Sequence, residues 1–245
     1  MGDGEKVNIS LKGISLNIGM PAHRPIPVPT VISLNNTVAA CFNLSIPIEI
    51  IIPSGSSVVM TARNQVCHAF LKGRASHLFW LDSDMQWSVD SFLRVLAMST
   101  IHDTARALYP RRQENIMFDW DGIGFTCVQR KVIQALANEA PLHFIGEAEP
   151  CKAIFRESFV RTERATNAGA DLEYFAEDST FFADVKRLGF TSWIDPKSHI
   201  GHVGEKVYKA SLDERWELKE TPEDVSAQDR IDGARDAEGV KRWSY

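Results

Sequence analysis

Short apolar runs alternate with longer amphipathic segments along most of the chain. The short runs predict strands, and they lie at residues 14–18, 48–52, 77–81, 105–109 and 190–196. In the longer segments, apolar residues recur every three to four positions, which predicts helices with one buried face. This alternation predicts an α/β fold with a mostly parallel sheet flanked by helices.

Five segments have helical spacing and recognisable ends. We predict starts at Thr30 as an N-cap, within the serine-rich residues 54–57, at Ser88, at Arg130 and at Glu177. The first helix is predicted to bury a face formed by Val31, Leu34, Val38, Cys41 and Phe42. The third is predicted to bury Val89, Phe92, Leu93 and Leu96. The fourth runs to Glu139, and the last one stops at Gly189, a residue that suits a helix C-terminus.

Arg63 interrupts the pattern of the second predicted helix, which ends near Leu71. It falls on the same face as the apolar residues Val59, Ala62, Val66 and Phe70. A charge on a core-facing stripe needs a partner. One interpretation directs Arg63 into a cleft, where it orients Asp82 or meets a phosphate. The other lets the side chain reach solvent past the end of the helix, and spacing alone leaves both open.

Two carboxylates follow the uncharged run at 77–81. Because strand side chains alternate, Asp82 and Asp84 are expected to project to one side and Ser83 to the other. At the carboxyl end of a parallel strand, two such groups suit a divalent cation that holds a diphosphate. The alternative is an ordinary turn, for which Asp-Ser-Asp is equally suitable. A second Asp-x-Asp triplet, at 119–121, follows polar residues and is interpreted as a chance match.

Composition limits the partners and the compartment. The 245 residues are 44% hydrophobic with a net charge of −5, which suits one large core and provides no overall positive field for nucleic acid. The four cysteines contain no Cys-x-x-Cys pair, which argues against a zinc knuckle or a disulfide framework. Polar residues interrupt the apolar region 38–53, so we expect no membrane span. With no secretory pattern at the amino terminus, we expect a soluble cytoplasmic protein.

In two regions the apolar residues follow neither helical nor strand spacing. Residues 141–174 are interpreted as a long surface segment of the functional kind, and they contain Arg156, Arg161 and Arg164. Residues 210–245 are dense in charges of both signs and poor in aliphatic residues, so we expect a charged helical arm or tail. This leaves residues 1–209 as a single domain.

In order along the chain, the motifs resemble those of GT-A glycosyltransferases, especially short family-2-like enzymes of bacteria and phages. The ordered set is more specific than any one member. It consists of Thr61-Ala62-Arg63-Asn64, Leu81-Asp82-Ser83-Asp84-Met85, Tyr109-Pro110-Arg111-Arg112, Gly122-Ile123-Gly124-Phe125, Glu177-Asp178 with Phe181 and Phe182, and Asp195-Pro196 followed by His202-Val203-Gly204. The resemblance implies a Rossmann-like GT-A catalytic domain over residues 1–209. It also implies transfer of a sugar from a nucleotide-diphosphate sugar to an acceptor hydroxyl.

The resemblance further implies a set of ligand contacts. Asp84 would bind Mn²⁺ or Mg²⁺ directly, Asp82 would reach the ribose or a metal-bound water, and His202, preferred over His199, would be the third ligand. Carboxylates with an imidazole suit Mn²⁺. The nucleotide-sugar, expected to be UDP-linked, would contact Pro21, Ala22, Arg24, Arg63, Asn64, Asp82, Ser83, Asp84 and Arg111.

The resemblance also implies an acceptor side. Glu177 or Asp178 would lie over the acceptor and accept the proton of its hydroxyl. Asp178 has a simpler alternative as the cap of the last helix. Gly122 and Gly124 would allow a close backbone approach by the ligand, or else a plain bulge.

Several acceptors and two other functions stay open. The acceptor could be a glycan, a protein or a hydroxymethylated base in phage DNA, although the acidic net charge counts against DNA. A nucleotidyltransferase is one alternative, but its glycine- and lysine-rich phosphate loop is reduced here to Gly19 and Arg24 near the first predicted strand. A non-catalytic nucleotide-sugar-binding protein is the other, and it predicts metal-dependent binding without turnover.

Overall fold

The computed structural model describes residues 10–53, 56, 58–107, 122–144, 149–204 and 207–210. Within these residues the strands are β1 (Leu16–Gly19), β2 (Ile48–Ile51), β3 (His77–Leu81), β4 (Met85–Trp87), β5 (Thr104–Arg106), β6 (Phe125–Gln129), β7 (Leu142–His143), β8 (Cys151–Lys152), β9 (Ser158–Val160), β10 (Glu173–Phe175), β11 (Ser192–Ile194), β12 (Ile200–Val203) and β13 (Val207–Ala210). The helices are α1 (Val28–Asn43), α2 (Val59–Lys72), α3 (Val89–Met98), α4 (Arg130–Glu139), α5 (Glu163–Asn167) and α6 (Glu177–Arg187).

Six of the described strands form a central sheet in the order β2, β1, β3, β6, β5, β11. The pairs β2–β1, β1–β3 and β5–β11 are parallel, while β6 lies antiparallel between β3 and β5. Every residue of β3 is buried because its two faces contact different apolar clusters. Phe79 belongs to the cluster with Phe92, and Trp80 belongs to the cluster with Phe155. The predicted fold class, an α/β fold with a mixed, mostly parallel sheet flanked by helices, is confirmed.

A small antiparallel sheet of β13, β12 and β4 begins where β3 ends. The backbone N–H of Met85 donates to the carbonyl oxygen of Asp82 over 3.2 Å, so the chain turns between β3 and β4. The expected strand alternation from Asp82 to Asp84 is therefore wrong, because β3 stops at Leu81. Pairing of β12 with β4 places His202 opposite Met85 and brings a late segment of the chain to this turn.

Helix α1 differs from its prediction in both its start and its buried face. It begins at Val28, with Pro27 as N-cap, rather than after Thr30, since Pro29 in its first turn is pre-organised for a helix. The face that packs inward carries Ser33 and Thr37. These hydroxyls bond to the backbone N–H and the indole N–H of Trp87 at 3.2 and 2.8 Å. Of the predicted apolar face, Leu34 and Cys41 are buried as expected, whereas Val31 and Phe42 are exposed.

The other long helices follow their predictions more closely. Helix α2 starts at Val59, later than predicted, and Val59 is exposed rather than buried. The Ser88 hydroxyl caps α3 by accepting from the backbone N–H of Ser91 at 3.1 Å. Helix α4 has the predicted bounds. After α6, Gly189 adopts a φ of 79°, the left-handed conformation predicted for a helix terminus.

Residues 141–174 are less superficial than predicted. They contain the short hairpins β7–β8 and β9–β10 and the short helix α5. Ile154 and Phe155 are buried in the core. Phe155 stacks on Phe181, with ring centroids 4.8 Å apart. A region without a sequence period can still supply core residues when single side chains, rather than a whole face, enter the core.

No helix in the described ranges is long and apolar enough to cross a membrane. The predicted arm or tail, 210–245, falls outside the described residues apart from Ala210.

Asp195 anchors the chain between β11 and β12. Its carboxylate accepts hydrogen bonds from Arg94 Nη2 at 2.6 Å, Arg94 Nε at 2.9 Å and the Ser198 hydroxyl at 2.6 Å. Burial would raise the pKa of Asp195, but these hydrogen bonds hold it below its ordinary value. The charged form of Asp195 therefore stabilises the fold. This contribution is complete above about pH 4 and is lost as the pH falls through the lowered pKa.

Asp195→Asn is expected to lower the free energy of unfolding at pH 7 by about 1.5–3 kcal/mol, since it weakens hydrogen bonds to a charged group. The difference from the wild type should shrink below about pH 4. Urea unfolding across pH 3–8 measures both effects, with Asp90→Asn, at an exposed carboxylate in the first turn of α3, as a control expected to change little. If Asp195→Asn lost stability below pH 4 as steeply as the wild type does, this role of Asp195 would be contradicted.

Candidate active site

The predicted carboxylates lie at one edge of the central sheet. Asp82 follows the last residue of β3, and Gly19 ends the neighbouring parallel strand β1. The backbone N–H of Asp82 donates to the carbonyl oxygen of Gly124 over 2.9 Å, which attaches this edge to the segment before β6. Open α/β sheets bind ligands at the carboxyl ends of their parallel strands, so the position is the expected one.

Arg63 is the centre of a charged cluster at this edge. Its side chain is 4% exposed, and its guanidinium contacts three carboxylates: Nη1 bonds to Glu177 at 3.0 Å and to Asp178, and Nη2 lies 3.4 Å from Asp82. A buried cation requires such partners. Of the two interpretations of Arg63, the structure supports the one in which it points into the cleft. Sequence reasoning placed Arg63 near Asp82 but did not foresee its pairing with both acids of α6.

In this cluster, the carboxylates of Asp82, Glu177 and Asp178 outnumber the single guanidinium of Arg63. Burial alone would lower the pKa of Arg63, but the surrounding carboxylates, Asp178 foremost, raise it above its ordinary value. Burial raises the pKa of Asp82, as do the charges of Asp178 and Asp84, and Arg63 only partly offsets this. One guanidinium faces three carboxylates, so the cluster retains an excess of negative charge that would favour a cation beside it.

Asp178 has a second contact that fixes its direction. Its Oδ2 accepts the backbone N–H of Ile123 at 3.3 Å, on the segment between Gly122 and Gly124. The predicted capping role of Asp178 is wrong, because Ala176 is the N-cap of α6 and no side chain caps the helix. Glu177 and Asp178 instead occupy its first turn. There, acidic residues also interact favourably with the helix dipole.

The two predicted glycines have different roles. Gly122 has a φ of 73°, a conformation that other residues adopt at a cost. Gly124 lies directly against the Asp82 side chain: a Cβ built on Gly124 would come within 2.7 Å of Asp82 Cγ and nearer still to Oδ2. The absence of a side chain at Gly124 therefore makes the room that the Asp82 carboxylate occupies. Contact of either glycine with an acceptor remains a prediction.

Gly124→Ala is expected to displace the Asp82 carboxylate and to lower the free energy of unfolding by about 1–3 kcal/mol, the usual effect of an overpacked site. Gly73→Ala is a matched control, since a Cβ there would meet nothing closer than 3.5 Å. Chemical denaturation of both variants measures the difference. Equal stability of Gly124→Ala and wild type would show that Asp82 has space to move and that the close packing is not required.

Asp84 and His202 form a second pair beside the cluster. Asp84 Oδ2 and His202 Nε2 are 3.4 Å apart, and both side chains are about half exposed. The backbone N–H of Val203 donates to the Asp84 carbonyl over 2.6 Å, which holds β12 against the turn. His199, the competing histidine, lies at the start of this segment and is exposed, with its carbonyl accepting the Ser91 hydroxyl.

The pair fits a metal ion only in part. A carboxylate and an imidazole are suitable ligands for Mn²⁺, and the exposure of both leaves space for further ligands. Among the described residues, however, no three His, Cys, Asp or Glu side chains are grouped so as to hold an ion. Asp82 is drawn toward Arg63 rather than into this pair. An ion bound by Asp84 and His202 would need oxygen ligands from a diphosphate and from water, which is common for Mg²⁺-type sites.

The other residues predicted to contact the nucleotide-sugar differ in their surroundings. The Asn64 amide has a structural role, since its oxygen accepts the Phe155 N–H at 2.8 Å and its nitrogen donates to the Phe155 carbonyl at 2.9 Å. In the loop after β1, the Ala22 N–H donates to Pro53, while Pro21 is half-buried and Arg24 is exposed. Ser83 is half-buried in the turn. Arg111 and the triplet at 119–121 lie outside the described residues.

Comparisons with known proteins show similarity at the level of fold. No protein-family model matches the chain, and no curated protein is similar to it in sequence. A mannosyltransferase from Pyrobaculum calidifontis, in complex with GDP-Man and Mn²⁺, is 10% identical with a TM-score of 0.45, and the match covers 78% of this chain but only 58% of that one.

Two other solved structures are similar to a comparable degree. The catalytic domain of Drosophila β1,4-galactosyltransferase 7, in complex with xylobiose, is 12% identical with a TM-score of 0.47, over 91% of this chain and 81% of that one. A 4-diphosphocytidyl-2C-methyl-D-erythritol synthase from Anaerococcus prevotii is 10% identical with a TM-score of 0.44, over 74% and 86%. These matches are to two glycosyltransferases and one synthase, and at these identities and TM-scores no activity is assigned to this chain from them.

Proposed function

We propose that this chain is a metal-dependent glycosyltransferase that moves a sugar from a nucleotide-diphosphate sugar to an acceptor hydroxyl. The main supporting observation is that Arg63 gathers Asp82, Glu177 and Asp178 beside the Asp84–His202 pair at one sheet edge. In this proposal, neighbouring residues serve the two substrates. Asp84 and His202 face the donor diphosphate, and the first turn of α6 faces the acceptor.

Asp84 and His202 are the residues that would hold the metal ion, for which Mn²⁺ is the better match. When bound, such an ion supplies positive charge that stabilises the departing nucleotide diphosphate. Asp82 is held by Arg63 and contributes negative charge next to this pair. We propose that Asp82 contacts the donor ribose, as a carboxylate oxygen is a suitable acceptor for a sugar hydroxyl.

The proton of the acceptor hydroxyl needs a base, and the first turn of α6 offers Asp178 and Glu177. Asp178 is the better candidate because two partners, Arg63 and the Ile123 N–H, fix its orientation. A fixed carboxylate that accepts the proton as the new glycosidic bond forms performs general base catalysis. Arg63 acts through these carboxylates and is a positioning residue in this scheme.

The contacts of the three arginines in 141–174 bear on the acceptor. Arg156 is paired with Asp184 at 2.7 Å and Arg164 with Glu173 at 3.0 Å, while Arg161 is exposed. Arginines that already neutralise carboxylates add little net positive charge for a polyanion. We therefore favour a glycan or a protein-linked hydroxyl over a DNA base as the acceptor.

The products of the reaction test the proposal. The full chain is incubated with Mn²⁺ and each of a panel of UDP-, GDP- and TDP-sugars, and release of nucleoside diphosphate is measured with and without chelator. We expect metal-dependent release from one donor, slow without acceptor because water must then accept the sugar. Pyrophosphate release from a nucleoside triphosphate would instead identify a nucleotidyltransferase, and metal-dependent binding without turnover would identify a non-catalytic binding protein.

A further inference from the structure

The β9–β10 hairpin exposes two aromatic side chains next to each other. Phe159 and Tyr174 are directly opposite one another across the two strands, and their ring centroids are 5.4 Å apart at an interplanar angle of 54°. They are 65% and 51% exposed. Within the part of the chain that the structure describes, this aromatic surface is not buried by another element, and exposed aromatic surface of this extent is typical of a binding surface.

The hairpin is fixed to the start of α6. The hydroxyls of Ser158, in β9, and Thr180, in α6, lie 2.8 Å apart, and Thr180 also bonds to the carbonyl of Phe175 at 3.4 Å. Strand β10 ends two residues before Glu177. A hydrogen bond with Glu157 raises the pKa of Tyr174, and the charge of Glu177 adds to this effect. The hydroxyl contacts and the short connection to α6 place the hairpin next to the first turn of α6, whose carboxylates we propose act on the acceptor.

Polar groups border the two rings. Glu157 and Arg161 flank β9 directly on either side, and Glu157 is hydrogen-bonded to Tyr174. Both residues are exposed. Beyond Arg161, an open cavity of about 500 Å³ is lined by Arg161, Thr162, Glu163, Thr166 and Asn167. The surface thus offers two apolar ring faces with a carboxylate, a guanidinium and hydroxyl groups around them.

A pyranose ring has the matching chemistry. One of its faces consists of C–H groups with small positive partial charges, which the negative face of an aromatic ring attracts. Its edge consists of hydroxyls, which bond to carboxylates, guanidinium groups and other hydroxyls. A nucleic acid fits less well, because Glu157 and Glu163 would repel its phosphates.

We propose that Phe159 and Tyr174 form the binding platform for a sugar ring of the acceptor, which makes the acceptor a carbohydrate. The platform rests on the proposed function, because it assigns the acceptor of that same reaction. It holds the ring beside the first turn of α6, where a free hydroxyl can reach Asp178. The cavity beyond Arg161 offers room for a further sugar unit, since ligand pockets commonly measure about 300–1,000 Å³.

Saturation-transfer NMR on the full chain tests the platform without requiring turnover. The probes are the methyl glycosides of glucose, galactose, mannose, xylose and N-acetylglucosamine and their β-linked disaccharides. We expect at least one to bind the wild type, with affinity about 10-fold weaker in Phe159→Ala and in Tyr174→Ala. Tyr174→Phe should retain most of the binding because it keeps the ring. Phe42→Ala, at an exposed phenylalanine in the last turn of α1, is the matched control and should bind as the wild type does.

Nucleotide binding measured on the same proteins separates the platform from the proposed function. Metal-dependent binding of a nucleoside diphosphate should be unchanged in Phe159→Ala and Tyr174→Ala. Its absence in every protein, wild type included, would contradict the proposed function even if saccharides bind. No saccharide binding by the wild type, or equal binding by Phe159→Ala, would overturn the platform. A wild-type dimer that Phe159→Ala dissociates, seen by analytical ultracentrifugation, would also overturn it by showing that the rings join two copies of the chain.

Discussion

Asp178→Asn is expected to lower kcat for sugar transfer by about 10²–10⁴-fold, the usual contribution of a general base. The amide keeps the size of the side chain but cannot accept the proton of the acceptor hydroxyl. Since the loss affects the chemical step, KM for the nucleotide-sugar should stay within about threefold of the wild type. Steady-state kinetics with the donor and acceptor identified for the enzyme measure both constants.

A control on the same helix distinguishes catalysis from helix stability. Asp184 lies in α6, is buried, and pairs with Arg156 and Arg187. Asp184→Asn should therefore lower stability while leaving kcat near the wild-type value. If Asp178→Asn retains kcat and Glu177→Gln loses it, Glu177 is the base and the assignment to Asp178 is wrong. If both variants retain kcat, the first turn of α6 does not supply the base.

Arg63→Met is expected to lower the free energy of unfolding at pH 8 by about 1–3 kcal/mol, because it removes the buried cation that three partly buried carboxylates share. The partly exposed carboxylates of Asp82, Glu177 and Asp178 would then repel one another without a cation between them. Methionine approximates the length of the arginine stem, so the packing around α2 should largely remain. Urea denaturation at constant ionic strength measures the loss.

The pH dependence of this loss identifies its cause. In the wild type, burial and the neighbouring charges of Asp178 and Asp84 raise the pKa of Asp82 above its ordinary value of about 3.9. Without Arg63 this pKa should rise further. A carboxyl with a raised folded-state pKa destabilises the fold while ionised, and it ceases to do so as the pH falls through that pKa. The difference between Arg63→Met and wild type should therefore be largest at pH 8 and shrink toward pH 4.

Arg156→Met is the matched control for this experiment. Arg156 also pairs with a carboxylate, that of Asp184, but its side chain is 40% exposed. Because Arg156 is partly exposed and Asp184 keeps Arg187 as a second partner, we expect this variant to lose about 1 kcal/mol or less. A loss in Arg63→Met that is no larger than that in Arg156→Met, or that does not depend on pH, would show that the cluster around Arg63 is not an electrostatic centre of the fold.

The features that the sequence predicted best depend on local chemistry. The uncharged run of β3 predicted a strand buried on both faces, Ser88 predicted the cap of α3, and Gly189 predicted the end of α6. The anomaly at Arg63 was also visible, since a charge on an apolar stripe requires a buried partner. These signals come from a residue and its near neighbours, so they do not require knowledge of the tertiary structure.

The features that the sequence did not predict depend on contacts between distant residues. The inward face of α1 includes the polar residue Thr37, whose hydroxyl accepts the indole N–H of Trp87, 50 positions away. The pairing of Arg63 with Asp178 spans 115 positions, and the contact of Gly124 with Asp82 depends on the pairing of β6 with β3. The error at Asp82–Asp84 arose because strand alternation was extended beyond Leu81, where a turn begins.

The central claim is that Asp84 and His202 bind a metal ion that holds a nucleotide diphosphate, and ligand-induced thermal stabilisation tests it most directly. The melting temperature is measured with UDP, GDP and TDP, with Mn²⁺ or with chelator, for the wild type, Asp84→Ala, His202→Ala and the control His199→Ala. A nucleotide at about 100 times its Kd should stabilise the wild type by about 2.7 kcal/mol, which corresponds to a rise in Tm of about 5–10 °C. We expect this rise to require Mn²⁺, to persist in His199→Ala and to disappear in Asp84→Ala and His202→Ala. A rise that is independent of Mn²⁺ or unchanged in Asp84→Ala, or no rise with any nucleotide, would contradict the claim.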